Sequence, residues 1–267
     1  MFLSAQTKNP RKSCTDRILS FIKYAILLKD KITMHKLVVV TGATKGIGRA
    51  VAERFALAKF DVAACARNVK DLQLFKDEIE KKYGVNVYVK STDTSDKKQV
   101  EEFATFVLAL NRPIDVLVNN AGFFTPGATM VEPDGALESM IEGNVYSAYY
   151  VTRGLIVSMK KNKSGHIFNM CSIASIKAYP NGGSYAISKF ALLGFSKVLR
   201  EELKEFNIRV TAVMPGATKT ASWDGVDLPD TRFMKTEDVA EVIFNAYSIS
   251  DRSVVEEVII RPQLGDI

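Results

Sequence analysis

From residue 36 onward, short apolar runs alternate with longer stretches whose apolar positions recur at helical spacing. Leu37-Val38-Val39-Val40 is β-branched and unbroken by polar residues, the pattern of a strand buried on both faces of a parallel sheet. The same reading predicts strands over 61–65, 86–89, 114–118, 167–171, 208–214 and 256–260. Between them, helical periodicity predicts helices over 49–59, 71–83, 96–110, about 135–160, 184–206 and 236–247. Strands alternating with helices require crossover connections. The pattern therefore predicts a single α/β domain over 34–267: a doubly wound sheet of about seven parallel strands with helices on both faces.

Residues 1–33 follow another pattern. Ile18, Leu19, Phe21, Ile22, Ala25, Ile26 and Leu28 fall largely on one helical face over 16–28, with Arg17, Ser20, Lys23 and Tyr24 opposite. The run is too short and too charged for a membrane span, which needs about 20 apolar residues. No small-residue cleavage site precedes Lys29-Asp30-Lys31, so a secretory signal is not expected. A basic amphipathic helix can lie on a membrane surface. We favour the plainer reading, an extension outside the fold, with Met34-His35-Lys36 opening the first strand.

The first 36 residues also account for the net charge of +6. Lys8, Arg11, Lys12, Arg17, Lys23, Lys29, Lys31 and Lys36 face only Asp16 and Asp30, so the remainder is close to neutral. No basic patch interleaved with aromatics points to nucleic acid. Cys14, Cys65 and Cys171 have neither metal-ligand spacing nor a paired framework, and His35 and His166 are the only histidines. A metal site and a His-based triad are therefore not expected. A reducing, cytoplasmic compartment is.

Two stretches carry chemistry. The first, Thr41-Gly42-Ala43-Thr44-Lys45-Gly46-Ile47-Gly48, joins a strand to a helix. There glycines permit tight turning, and helix N-terminal amides can face an anion such as a phosphate. The Gly-Lys-Ser/Thr ending of a nucleoside triphosphatase loop is missing. The second runs from Cys171 to Lys189. Tyr185 and Lys189 stand four residues apart at the start of a helix and so share a face. Ser172 follows a strand and can meet them. A phenol with pKa about 10 is a poor acid–base group at neutral pH unless a neighbouring cation stabilises its phenolate, and Lys189 is placed to do that.

These stretches, with Asn119-Asn120-Ala121-Gly122, Ser172 thirteen residues before Tyr185, and Pro215-Gly216 followed by Thr220, resemble the short-chain dehydrogenase/reductase family in its compact single-domain branch. The resemblance covers roughly 36–262 and implies a Rossmann-type fold. It implies that Tyr185 donates a proton to a substrate carbonyl as hydride arrives from a nicotinamide. Lys189 then lowers the tyrosine pKa and binds the nicotinamide ribose, Ser172 holds the substrate oxygen, and Asn144 holds a water in the relay. The cofactor residues it implies are Gly42, Thr44, Lys45, Gly46, Ile47, Gly48, Arg67, Asp93, Asn120, Ala121, Gly122, Pro215, Gly216 and Thr220, besides Tyr185 and Lys189. It also implies a homodimer or homotetramer.

NADP(H) is expected over NAD(H). Ala66 stands at the strand end where an NAD-preferring relative has a ribose-binding carboxylate, while Asp61 lies at the opposite end of that strand. Arg67 and Lys45 offer cations to a 2′-phosphate. Phe123, Phe124, Tyr179, Met214 and Trp223 lie in segments that border the substrate in this family, with 217–233 as a lid. The leading expectation is an NADP-dependent oxidoreductase acting on a small carbonyl or alcohol. Alternatives are a 3-oxoacyl-thioester (acyl-carrier-protein) reductase and a non-catalytic NADP-binding sensor. The retention of both Tyr185 and Lys189 disfavours the sensor.

Overall fold

The computed structural model describes residues 35–223 and 225–267; the amphipathic segment expected over 16–28, and Asp224 of the expected lid, lie outside them. The compact unit that carries the site spans Lys36–Ile267. Its strands are β1 (Leu37–Thr41), β2 (Asp61–Ala66), β3 (Val87–Ser91), β4 (Val116–Asn119), β5 (Gly165–Met170), β6 (Ile208–Pro215) and β7 (Glu257–Ile260). They form one seven-stranded sheet in the order β3-β2-β1-β4-β5-β6-β7. Every pairing is parallel. The expected doubly wound fold is present.

The helices are α1 (Gly46–Leu57), α2 (Val69–Tyr83), α3 (Lys97–Leu108), α4 (Ala136–Ile141), α5 (Ser147–Asn162), α6 (Gly183–Leu203) and α7 (Thr236–Ser248). Alternate residues of β1 serve the two faces of the sheet, as a period of two requires. Val38 and Val40 pack with Val51 and Phe55 of α1, Phe75 of α2 and Ile243 of α7. Leu37 and Val39 pack with Phe103 of α3, Leu155 of α5 and Leu199 of α6. Two apolar layers thus clamp the sheet, and both faces of each central strand are dry. That is why the strand sequences read as continuous apolar runs.

β1 pairs with both β2 and β4. Its neighbours therefore lead away in opposite directions, and the loops after β1 and β4 part to leave a crevice at the C-terminal edge, where doubly wound sheets bind ligands. Asp61 sits at the other edge, buried and accepting from the Asn86 amide at 2.8 Å and from Arg112 at 2.6 Å. It is a fold residue, remote from the crevice.

Several boundaries shift from the sequence pattern, three of them for a visible local reason. The glycine loop enters its helix earlier than expected, so Gly46, Ile47 and Gly48 form the first turn of α1. The single helix expected over about 135–160 is α4 and α5 joined by a π turn, Glu142–Tyr146. A π turn keeps the chain helical while adding a residue to the turn, so apolar periodicity barely registers it. The helix expected over 184–206 ends at Leu203 and closes in a 3₁₀ turn, Lys204–Phe206, stopped by Asn207 at φ 55°. The expected lid contains two short 3₁₀ turns, Ala221–Trp223 and Asp230–Arg232, and a parallel bridge between Thr218 and Met234. No described helix is long and apolar enough to cross a membrane.

Candidate active site

The crevice is walled first by the glycine loop. Gly42 and Gly46 adopt φ +66° and +57°, a region that side chains rarely tolerate. At Gly48 the reason is closeness. A Cβ there would stand 2.4 Å from the Gly42 carbonyl oxygen and 2.3 Å from Asn120 Nδ2. Asn120 stitches the loop to β4: its amide side chain donates to the Thr41 and Gly42 carbonyls at 2.9 and 3.1 Å. The Asn120 and Ala121 backbone amides donate to Thr41 Oγ1, both at 3.0 Å.

The start of α1 is open where its neighbours are closed. Asn68 caps α2 and Asp96 caps α3 with their side chains. α1 has no side-chain cap and no acid in its first turn. Its amides and the positive end of its dipole are left for an anion, so a dinucleotide diphosphate fits here. Lys45, just before α1, and Arg67, just after β2, are exposed, and Ala66 closes β2 without a carboxylate. Thr44 is half-buried in the loop. Asp93 follows β3 with its carboxylate on the Ser95 amide at 3.0 Å and hydroxyl at 2.7 Å, while its own amide donates to Gln99.

The second wall begins where β5 ends. Ser172 caps a 3₁₀ turn, Ile173–Ser175: its Oγ accepts from the Ala174 amide at 3.1 Å, and its own amide donates to Ser175 Oγ at 3.2 Å. So held, the Ser172 hydroxyl faces Tyr185 and pulls the phenol pKa down. Lys189, one turn further along α6, donates from Nζ to the Met170 carbonyl at 2.8 Å, with Nζ 5.6 Å from the Tyr185 ring centroid. Gly122 clears the approach, since a Cβ would lie 2.5 Å from Asn144 Oδ1 and 3.7 Å from Lys189 Nζ.

Burial dominates the electrostatics of this group. It pushes the Tyr185 phenol above its ordinary range, against the Ser172 hydrogen bond that pulls it down; the nearby Cys171 adds to the rise. Burial also brings Lys189 down to about 8, opposed by Cys171. The Ser172 hydroxyl favours the Tyr185 phenolate in this arrangement. The Lys189 ammonium stands beside the ring while also donating to the Met170 carbonyl. Cys171 is itself buried, its thiol raised by desolvation. His166 is fully buried, bonded to Thr211 at 2.7 Å and stacked on Phe168, far below its usual pKa because of burial.

Asn144 stands in the π turn, its carboxamide engaged on both atoms. Oδ1 accepts from the Phe123 amide at 2.9 Å, and Nδ2 donates to the Phe123 carbonyl at 3.0 Å and to Ser188 Oγ at 3.0 Å. Ser188 passes the connection to the Tyr185 carbonyl at 2.7 Å. Sequence reasoning did not single out Ser188, although it lies between Tyr185 and Lys189.

Ser172, Tyr185 and Lys189 open into a cavity of about 590 Å³, which Ile47, Asn120, Gly122, Pro215, Gly216 and Thr220 also line. Phe123, Phe124, Tyr179 and Trp223 form its aromatic side. Met214 does not belong there. It is fully buried with Ala148, Leu192 and Leu193, because its position in β6 points it under α6. Lys177 and Asp266, which no motif marks, stand at the rim as a pair at 3.4 Å.

A family model described as short chain dehydrogenase matches residues 36–228. The chain belongs to the short chain dehydrogenase family. Among relatives, this dehydrogenase is 34% identical over 242 residues to a sepiapterin reductase of Chlorobaculum tepidum, covering 88% of this chain and 99% of that one. It is 31% identical over 219 residues to a diacetyl reductase [(S)-acetoin forming] of Staphylococcus epidermidis, covering 80% and 83%. Among solved structures, an alcohol dehydrogenase from the archaeon Thermococcus sibiricus complexed with 5-hydroxy-NADP superposes with a TM-score of 0.81 at 27% identity, covering 86% and 97%. The chain is therefore an oxidoreductase of the CH–OH/C=O class.

The buried ammonium makes this dehydrogenase pay in stability. A lysine moved from 10.5 to about 8 binds fewer protons folded than unfolded between those values, so its cost is full below pH 8 and lifts as pH approaches 10.5. Lys189→Met is expected to raise unfolding free energy at pH 7 by about 1–3 kcal/mol. The gain should shrink between pH 8 and 10.5 in urea titrations; a difference independent of pH would contradict this.

Proposed function

We propose that this dehydrogenase is an NADPH-dependent carbonyl reductase whose general acid is Tyr185. The observation that carries this reading is the convergence of the Ser172 and Tyr185 hydroxyls and the Lys189 ammonium on one desolvated, aromatic-sided cavity. The nicotinamide, when bound, supplies hydride to the carbonyl carbon. The substrate oxygen lies between the Ser172 and Tyr185 hydroxyls. As negative charge develops on it, Tyr185 transfers its proton and Ser172 stabilises the charge by hydrogen bonding. The product is the alcohol, and Tyr185 is left as phenolate beside Lys189, to be reprotonated before the next turnover. Low dielectric around the group strengthens each of these contacts. Asn144 positions Phe123 and, through Ser188, the first turn of α6.

The cavity size and aromatic side suit a small ketone or diketone, and the two reductase relatives support that class. Tyr185→Phe keeps the ring against Phe124 and removes only the acidic hydrogen. It should lower kcat for diacetyl with NADPH by at least about 100-fold while cofactor affinity is unchanged. A near-normal rate would remove Tyr185 from the role of acid.

The uncapped α1, Ala66, Arg67 and Lys45 support NADP(H) over NAD(H), as does the NADP-type ligand of the archaeal structure. Losing one charged hydrogen bond to a 2′-phosphate costs about tenfold or more, so Arg67→Ala should raise KM for NADPH to that extent and leave KM for NADH nearly unchanged. Equal efficiency of the unmodified protein with both cofactors would contradict the assignment.

The outer faces of α5 and α6 expose Val157, Ile187, Phe190 and Val198, more apolar surface than a single sheet layer uses. We expect these helices to pair between subunits. Light scattering at micromolar concentration should give a dimer or tetramer mass; a monomer would refute the pairing.

A further inference from the structure

The helix that carries Tyr185 and Lys189 begins without a cap of its own. Gly182, at its N-cap, offers no side chain, and no acid lies in its first turn. Unlike α1, however, its start is occupied. Glu132, 52 residues earlier in the chain, reaches the second residue of α6 with both carboxylate oxygens. Oε1 and Oε2 accept from the Ser184 amide at 3.1 and 3.2 Å, and Oε2 accepts from the Ser184 hydroxyl at 2.5 Å. Ser184 is buried, and no cation pairs with Glu132 among the described residues. The countercharge of this carboxylate is the amide end of α6, a charge-assisted cap.

The surrounding backbone is shaped for this contact. Gly183 adopts φ +30°, and a Cβ there would lie 2.3 Å from Glu132 Oε1 and 2.4 Å from the Gly127 carbonyl. A Cβ on Gly127 would lie 2.5 Å from Glu132 Cγ. Gly127 in turn donates its amide to the Asn181 carbonyl at 3.0 Å, and a turn at Ala128 brings Glu132 back, its amide on the Ala128 carbonyl at 3.1 Å. Two glycines and two backbone hydrogen bonds thus serve one carboxylate.

Glu132 ends the loop that begins at Phe123 and Phe124; Ser184 follows the loop of Tyr179 and Asn181. These loops are facing walls of the substrate cavity. The first is anchored at its base by Asn144, through both backbone groups of Phe123. Its far end is anchored by Glu132. Between the anchors, the Phe124 ring meets the Tyr185 ring edge-on at 4.8 Å. We infer that Glu132 is a positioning residue that clasps the two walls of the substrate cavity across the start of α6 and so sets which ketones reach Tyr185.

The inference builds on the carbonyl-reductase reading, so its test has an arm that needs no substrate. Glu132→Gln keeps the shape and removes the charge and one acceptor; Ser184→Ala removes the hydroxyl donor alone. In both variants, with NADPH bound, amide hydrogen exchange should quicken over 123–134 and 177–186 and stay unchanged in the central strands. With 1-phenyl-1,2-propanedione as probe, Glu132→Gln should raise substrate KM at least about tenfold while KM for NADPH stays within about twofold. The double variant should be no worse than Glu132→Gln, because both changes break one contact. Unchanged exchange and KM would overturn the inference. So would faster exchange throughout the chain with both KM values raised together, which marks general destabilisation. Should the unmodified protein reduce no diketone, the reductase reading fails while the exchange arm still decides the clasp.

Discussion

An ammonium held out of water governs this structure. Lys189 is buried at the C-terminal edge of the sheet, and its Nζ donates to the Met170 carbonyl. A buried cation is expensive unless it is paired, and here the expense appears as a pKa brought down to about 8. β5 ends at Met170, and its carbonyl there accepts from the ammonium at 2.8 Å. The same desolvation acts on Tyr185 in the opposite sense, raising a phenol that already titrates high. Burial thus drives the two pKa values apart, favouring the neutral amine at Lys189 and the protonated phenol at Tyr185.

The rest of the site keeps that dry group in register. Ser172 is fixed by its own 3₁₀ turn and pulls the Tyr185 phenol pKa down, against burial. Asn144 is turned inward by the π turn, binds Phe123 at both backbone groups and reaches α6 through Ser188. Glu132 closes the far end of the same loop on the start of α6. Three polar side chains from three separate segments therefore converge on one helix turn. Gly122 is the space Asn144 needs, and Gly127 and Gly183 the space Glu132 needs.

Much of this was legible in the chain itself. The unbroken run at 37–40 announced a strand dry on both faces, because Val38 and Val40 serve one helical layer and Leu37 and Val39 the other. Gly42, Gly46 and Gly48 were readable as a tight strand-to-helix loop since their spacing is a backbone requirement. Ser172, Tyr185 and Lys189 were readable because helix geometry joins two of them and a strand end supplies the third. Other features left no local trace. The π turn preserves helical periodicity, so one helix was expected where there are two. Met214 was expected in the cavity because its segment borders it, yet strand alternation turns it into the core. Glu132 acts across 52 residues, from a loop without periodicity, and only the fold brings it to Ser184.

The claim on which the account rests is that burial, opposed by Ser172, sets the acidity of Tyr185. It is tested most directly by following the Tyr185 ring carbon that bears the hydroxyl by NMR, in cofactor-free protein labelled at tyrosine, as pH rises. Tyr185 should titrate above the ordinary value of 10.0, and higher still in Ser172→Ala. Titration at or below that value in both proteins would show that the phenol is solvated or cation-stabilised, and would contradict the account.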